Sequence, residues 1–414
     1  MTTRNNDHVA VIGGGIIGLC SAYFLEQAGF RVTVIERDLI GSGSARGNGG
    51  QIVPADPLPA PGMVADGLKH WFSPSSAFFI NPKSIFALAP FLTRFALHSN
   101  RRTFLASYRK LDQLNSLTTQ LFDEMAGAGV GTEFTPSGNL KAFRERSNAV
   151  AARESTQELA ALGLTGAPGE LLDTRALHCL EPSLGDDARW GFLRPDVRWG
   201  DPSRFIDQLA EHLRGKDVRL VEHSDVTAIT ESDQGVRTTT STGEQVYSAV
   251  LVAAGPWSKA LVHTAGSKIS LVSGKGYSFT VRPELMPKFT VLLGEAHVGA
   301  TPLDQKRLRI AGTMEFGAGS SINQARIDAI AVAAEPFLSG IDWSARTDDW
   351  AGPRPMTPDG LPYIGRIGRS NRMFVATGHN MLGLSLGPAT GQLIAHLMRG
   401  SIGDAELSSF AVNR

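Results

Sequence analysis

Cysteine is nearly absent from this chain: 414 residues carry only Cys20 and Cys179. Two thiols build no disulfide framework, and Cys20 falls in a helical stretch that reads as buried core. Net charge is missing too. Lys+Arg and Asp+Glu stand at 40 each, so no overall field draws phosphates and no nucleic-acid partner is expected. There is no run of about 18 apolar residues, and the opening Met1-Thr-Thr-Arg-Asn-Asn-Asp7 holds no apolar signal segment. A cytoplasmic protein is expected. The ten histidines do not pair at ligand spacing, CxxC and HExxH are missing, and no serine or cysteine reads as an elbow such as GxSxG with strand and helix on either side. No metal site or nucleophile elbow is therefore expected. The chain has neither internal repeat nor low-complexity segment. Its length exceeds what one core usually supports, which points to two intertwined domains.

What is present begins at once. An apolar run, His8-Val-Ala-Val-Ile12, enters Gly13-Gly14-Gly15-Ile16-Ile17-Gly18; a helix follows, then Arg31-Val-Thr-Val-Ile-Glu36. Gly13 suits a tight turn, Gly15 lets backbone approach a pyrophosphate, and Gly18 lets helix and strand pack closely. Free N–H groups and the helix dipole favour phosphate there. Glu36 is placed to accept ribose hydroxyls. The motif predicts a dinucleotide, and by itself fits NAD or FAD.

Farther on, residues 103–126 and 147–162 show helical spacing, and Pro202–Leu213 reads as a helix capped by Asp201. Glu133–Phe143 reads as a hairpin turning at Pro136-Ser-Gly138. Short strands are predicted at Val218–Val221, Val226–Ile229, Gly235–Thr240 and Val246–Ala253, the last running into Ala254-Gly-Pro-Trp257. Several more are predicted over 270–315, and a helix over Ile322–Leu338. The chain closes with strand Met373–Ala376, the turn Thr377-Gly-His-Asn-Met-Leu-Gly383 and a helix entered near Pro388.

Three features favour FAD over NAD. The glycine-rich loop 42–52 suits a second, larger half of a cofactor, and the turn at 253–257 gives another close backbone approach. The turn before the last helix gives a third, with a helix N-terminus open to developing negative charge.

On these pieces the chain resembles the D-amino-acid oxidase/dehydrogenase family of FAD proteins, most closely its bacterial D-amino-acid dehydrogenases. The matching segments are Val11–Gly18, Arg46-Gly-Asn-Gly-Gly-Gln51, Gly274-Lys-Gly-Tyr-Ser278, Trp350–Tyr363 and Thr377–Ser385, in family order. The resemblance implies an α/β (α+β) fold, with a Rossmann-like FAD-binding domain and an interleaved mixed or antiparallel-sheet substrate domain. The division expected is 1–82, 195–268 and 345–414 for FAD, with 83–194 and 269–344 for substrate. It also implies non-covalent FAD and oxidation of an amine next to a carboxylate, by hydride transfer to flavin N5. Electrons would pass to a quinone or another acceptor.

The cofactor-binding set expected on this basis begins with Gly13, Gly14, Gly15, Ile16, Ile17, Gly18, Glu36 and Arg37. It continues with Ser44, Arg46, Asn48, Gly49, Gly50, Gln51, Ile52, Val226, Ala254, Gly255 and Trp257. It ends with Gly378, His379, Met381, Leu382, Gly383, Leu384 and Ser385. For the substrate, Arg354 is the candidate cation, since a guanidinium grips a carboxylate through two parallel hydrogen bonds; a structural salt bridge is its other reading. Tyr277 is expected to donate to the same carboxylate or cover the pocket, or else to be a core aromatic. Lys275 reads equally as solvent-facing. His379 and Asn380 are expected at the flavin ring or the substrate amine, with local capping the other reading for His379. Met381 stands where some relatives carry a second arginine, which leaves the substrate open among D-alanine-like, D-proline, hydroxy-D-proline and N-methyl amino acids. Two further readings stay open: a glycine- or sarcosine-type amine oxidase using oxygen, and a flavin-binding subunit without its own catalysis. The oligomeric state is not legible.

Residues 71–97 are unusually apolar, with Arg94 inside and His98, Arg101 and Arg102 just after. They read either as a helix closing over the substrate-domain core or as a surface docking peripherally on the inner face of the cell membrane.

Overall fold

The computed structural model describes residues 7–53, 57–61, 63, 76, 78–131, 134–317, 319 and 321–414. Four apolar runs, His8–Ile12, Arg31–Ile35, Ala249–Val252 and Met373–Thr377, are buried almost throughout, as strands covered on both faces must be. They form the middle of a six-stranded sheet ordered 363–366, 373–377, 249–252, 8–12, 31–35, 218–221. All neighbours are parallel except the first pair. One face is covered by helices Ile16–Gln27, Pro202–Arg214 and Gly383–Arg399. The other carries the antiparallel sheet of Val226–Ser232, Gly235–Thr240 and Gly243–Tyr247, with helix Ser258–Thr264. Helices 16–27 and 383–399 touch through backbone: a Cβ on Gly391 would sit 2.6 Å from the Cys20 carbonyl oxygen. Cys20 is fully buried, and burial pushes its thiol well above the usual range.

A second, eight-stranded sheet is mixed. Its main path runs 347–356, 272–281, 308–316, 298–302, 290–293, 139–143, 190–194, with Phe78–Ile80 beside 308–316. Helix Gln324–Ala334 covers one face over Tyr277, Phe279 and Ile310. Helix Ile85–His98 closes over the same sheet through Leu88, Phe91 and Phe95 against Met314, Phe316 and Met356. Trp71 and Phe72, part of the apolar stretch, lie outside the described residues.

The chain is thus α/β with a Rossmann-like half interleaved with a mixed-sheet half. Two elements sit across the division read from sequence. Helix Arg101–Gly127 packs Leu111, Leu114 and Leu121 into the core of the six-stranded sheet, and strand Thr347–Met356 is bonded into the eight-stranded one. The segment before Phe143 is not a hairpin. Asn139–Phe143 pairs instead with the distant strands 290–293 and 190–194, and Thr132 and Glu133 lie outside the described residues. The last helix starts at Gly383, so Pro388 lies inside it rather than in its first turn. There it cannot donate to the Leu384 carbonyl four residues before.

Candidate active site

Between the two halves lies a cavity of about 470 Å³. Its walls come from the first glycine turn, the end of strand 31–35, loop 42–48, residues 224–227, the turn 253–257, strand 350–355 and the turn before the last helix.

The glycine turn is built as its spacing requires. Gly13 has φ +109°, and a Cβ there would meet the Ala253 carbonyl oxygen at 2.5 Å. A Cβ on Gly18 would sit 1.9 Å from the Gly13 carbonyl oxygen, so helix and strand close over it. Gly15 differs: a Cβ there meets nothing within 4 Å, and the residue faces the cavity at the start of helix 16–27. Glu36 also lines the cavity, fixed by N–H donation from Gly14 to its Oε2 at 2.7 Å and from Asp38 to its Oε1 at 3.1 Å. Arg37 stacks over the Trp257 ring at 3.6 Å, a cation–π pair that ties two cavity walls together.

Arg354 is the cation of this space's wall on strand 350–355. Its Nη1 donates to the Thr313 carbonyl at 3.1 Å and lies 3.7 Å from the Met314 sulfur. It has no carboxylate partner among the described residues, so the salt-bridge reading finds no acid there. Burial lowers its pKa to about 10, which leaves it charged at neutral pH. A desolvated cation without a counter-ion is costly, and an anion in the cavity would offset that cost. Trp350 lies beside it, its ring held in a slot where a Cβ on Gly47 or Gly352 would come within 2.0 or 1.9 Å.

His379 is buried, lines the cavity, and shares a 3.0 Å hydrogen bond from its Nε2 to Thr390 Oγ1. Its Nδ1 is buried with no partner among the described residues. Burial depresses its pKa to about 3, so the ring is neutral. The unfolded ring binds a proton below its ordinary 6.5 while the folded ring does not, so this group costs stability as pH falls from there towards about 3. His379→Leu is expected to flatten the loss of unfolding free energy between pH 7 and 5, measured by denaturant titration. An unchanged slope would remove His379 from that account.

Other expected residues are placed differently. Tyr277 does not line the cavity: it is wholly buried on the opposite face of its strand, and its hydroxyl donates to Glu315. Its core reading is the one that matches. Lys275 is buried on that same face, donating to the Gly319 and Ser321 carbonyls at 2.8 Å each, so it does not face solvent. Asn380 reaches the cavity wall, but its side chain is engaged locally. Its Oδ1 accepts from Thr357 N–H at 2.9 Å and its Nδ2 donates to the Gly360 and Gly378 carbonyls, in a left-handed backbone with φ +53°.

Of the expected cofactor set, Gly13, Gly15, Ile16, Ile17, Glu36, Arg37, Ser44, Asn48, Val226, Ala254, Gly255, Trp257, His379, Met381, Gly383 and Leu384 line the cavity. Gly14, Gly18, Arg46, Gly49, Gly50, Gln51, Ile52, Gly378, Leu382 and Ser385 do not. Arg46 instead pairs with Asp207, and Gln51–Ile52 forms a small ladder with Arg198–Trp199. Sequence reasoning missed Trp350, Asp225 and Thr227 in the lining. Trp350 opens a matched segment and was within reach. Asp225 and Thr227 flank the expected Val226, but nothing in their own residue types marks them.

A family model described as FAD dependent oxidoreductase (DAO) matches residues 8–397. The chain belongs to that family. It is an FAD-dependent enzyme, and the cavity suits such a group: bare glycine backbone at a helix N-terminus, a fixed carboxylate at the second strand's end, and a buried ring nitrogen with no partner among the described residues. A D-amino acid dehydrogenase of Allorhizobium ampelinum is 30% identical over 431 residues, covering 98% of both chains. Another, of Rhizorhabdus wittichii, is 29% identical and covers 98% of this chain and 99% of its own. Among solved structures, glycine oxidase from Geobacillus kaustophilus superposes with TM-score 0.75 at 23% identity, covering 99% of each chain. L-proline dehydrogenase from P. horikoshii does so with TM-score 0.72 at 18% identity, over 100% of this chain and 98% of that one. At those identities the structures speak for the fold alone. Among the described residues no helix is long and apolar enough to cross a membrane.

Proposed function

We propose that this enzyme oxidises a D-amino acid, or a cyclic imino acid such as D-proline or hydroxy-D-proline, to the imino acid that water then converts to a 2-oxo acid. Electrons leave to a quinone or another acceptor rather than mainly to oxygen. The single observation that carries the reading is Arg354, a charged guanidinium on the cavity wall with no acid partner among the described residues. A substrate carboxylate supplies the missing anion, and the planar fork fixes its orientation. FAD, when bound, supplies the two-electron sink for the substrate's Cα–H bond. Glu36, the Gly13–Gly15 backbone and the 253–257 turn are the groups that would hold it. The neutral His379 adds no second positive charge beside an amine, and its Nδ1, without a partner among the described residues, is a hydrogen-bonding group for ring or amine. Trp350 and Met381 contribute apolar walls that displace water.

The test is anaerobic mixing with a panel of D-, L- and N-methyl amino acids while the flavin absorbance is followed. Bleaching by D-amino acids and not by their L-enantiomers is expected, with faster recovery on adding a quinone analogue than on admitting air. Rapid peroxide formation with N-methylglycine would replace the proposal with an amine oxidase, and a flavin that no amino acid bleaches would leave only a binding role.

The same reading extends to peripheral association with a membrane that holds the acceptor. Helix Ile85–His98 leaves Phe86 91% and Leu97 69% exposed, with Lys83, Arg94, Arg101 and Arg102 exposed around them, an apolar contact with a basic rim. Co-sedimentation with anionic vesicles at low salt is expected, weakened at least several-fold by Phe86→Asp. Protein that stays in the supernatant with and without the substitution would end this extension.

A further inference from the structure

Arg354 does not reach its position along its own strand. Strand 347–356 pairs with 272–281, placing Gly352 opposite Gly276 and Arg354 opposite Gly274. The Arg354 side chain crosses over that neighbour and donates to the Thr313 carbonyl of the next strand, 308–316. It crosses at Gly276. The three atoms nearest to a Cβ built there are all Arg354's, with Cζ at 2.1 Å, Nη2 at 2.2 Å and Nε at 2.6 Å.

The far side of the crossing is irregular too. Strands 272–281 and 308–316 keep register through Lys275–Glu315 and resume at Tyr277–Gly312, so Gly276 faces both Thr313 and Met314. That is a bulge, with one residue opposite two. Thr313 takes φ +57°, a left-handed conformation unfavourable for a β-branched residue, and its Oγ1 is buried without a partner among the described residues. Both oddities are costs. What accompanies them is a main-chain carbonyl that accepts from the guanidinium.

We infer that Gly276 and the Thr313–Met314 bulge form a positioning device for Arg354: a gap that lets the guanidinium cross one strand and a carbonyl that sets its plane. The inference rests on the reading of Arg354 as the carboxylate-binding group. Gly276 is a positioning residue that acts through Arg354 and touches no substrate.

The device makes a substitution informative. Gly276 is not among the residues with positive φ, so alanine suits its backbone, and the collision falls on the mobile end of one side chain. In Gly276→Ala the chain should fold and keep FAD while the guanidinium moves aside. The measurement uses holoenzyme and a minimal pair of probes, propanoate and propanamide, titrated against the flavin absorbance, which needs no turnover. Losing an aligned charge-assisted pair should weaken propanoate binding about 30-fold and leave propanamide within about 2-fold. The same substitution in an Arg354→Met background should change propanoate binding by less than about 3-fold, since the group it displaces is gone. Thermal unfolding and flavin content of each variant report on folding separately.

Three results would overturn the inference: unchanged propanoate binding in Gly276→Ala, an equal loss for both probes, or the same loss with Arg354 removed. Failure of the parent reading looks different. There Arg354→Met itself binds propanoate as the native enzyme does. Should Gly276→Ala not yield folded holoenzyme, a collision with a mobile side chain was the wrong account of that glycine, and the inference falls as well.

Discussion

Arg354→Met is expected to give a yellow, folded enzyme that amino acids no longer reduce at a useful rate. The loss in kcat/KM should be on the order of 100- to 1000-fold, because removing one member of a desolvated charge pair costs about 3–4 kcal/mol. The loss is expected in the substrate arm alone. Arg354 makes no ion pair within the protein among the described residues, and its one described main-chain hydrogen bond is to the Thr313 carbonyl. Removing a half-buried cation with no acid partner among the described residues should therefore raise the melting temperature or leave it unchanged. A rapid-mixing trace of flavin absorbance would separate the outcomes. Undiminished reduction would make Arg354 a bystander, and a variant that lost flavin would make it a structural strut.

The second large effect concerns two glycines three residues apart. Gly15 has φ −75° and ψ −178°, which any residue adopts, and its missing side chain leaves open space. Among the described residues no atom explains why that position is bare; a ligand approaching it is the reading that a bulky side chain there tests. Gly15→Leu is expected to yield a folded chain that purifies colourless, with FAD occupancy down by at least about tenfold, since a close backbone approach to the pyrophosphate is blocked. Gly18→Leu should instead fail to accumulate as folded protein, because its side chain would be driven into the Gly13 carbonyl. Flavin content and circular dichroism of the two variants side by side make the check. Full yellow colour in Gly15→Leu would remove this turn from the phosphate site.

The legible parts of this molecule were those whose chemistry is local. The run from His8 to Glu36 carries strand, turn, helix and acid within one short segment, and each lands where its spacing requires. Arg354 was legible because two prolines and a matched segment single it out. Tyr277 shows where such reasoning stops. Alternation identified the strand but not which of its faces looks into the cavity, and one residue of phase separates the two. Gly276 lies on the cavity side and Tyr277 in the core. The bulge at Thr313 was equally out of reach, since it depends on the register between two distant strands. The hairpin expected before Phe143 failed for a related reason, as the partners of Asn139–Phe143 come from later in the chain.

That dispersal has a consequence for how the enzyme is made. In the six-stranded sheet, Ala249–Val252 lies between His8–Ile12 and Met373–Thr377. A nascent chain emerging from the ribosome holds its first strand and glycine turn long before it holds their neighbours. Non-local pairings of this kind are slow to form, and unpaired strand edges invite aggregation in the meantime. Flavin uptake should thus be a late, post-translational event. Supplying the vitamin precursor and slowing synthesis by cooling should raise the soluble yield together, and a product ending before residue 373 should emerge without colour.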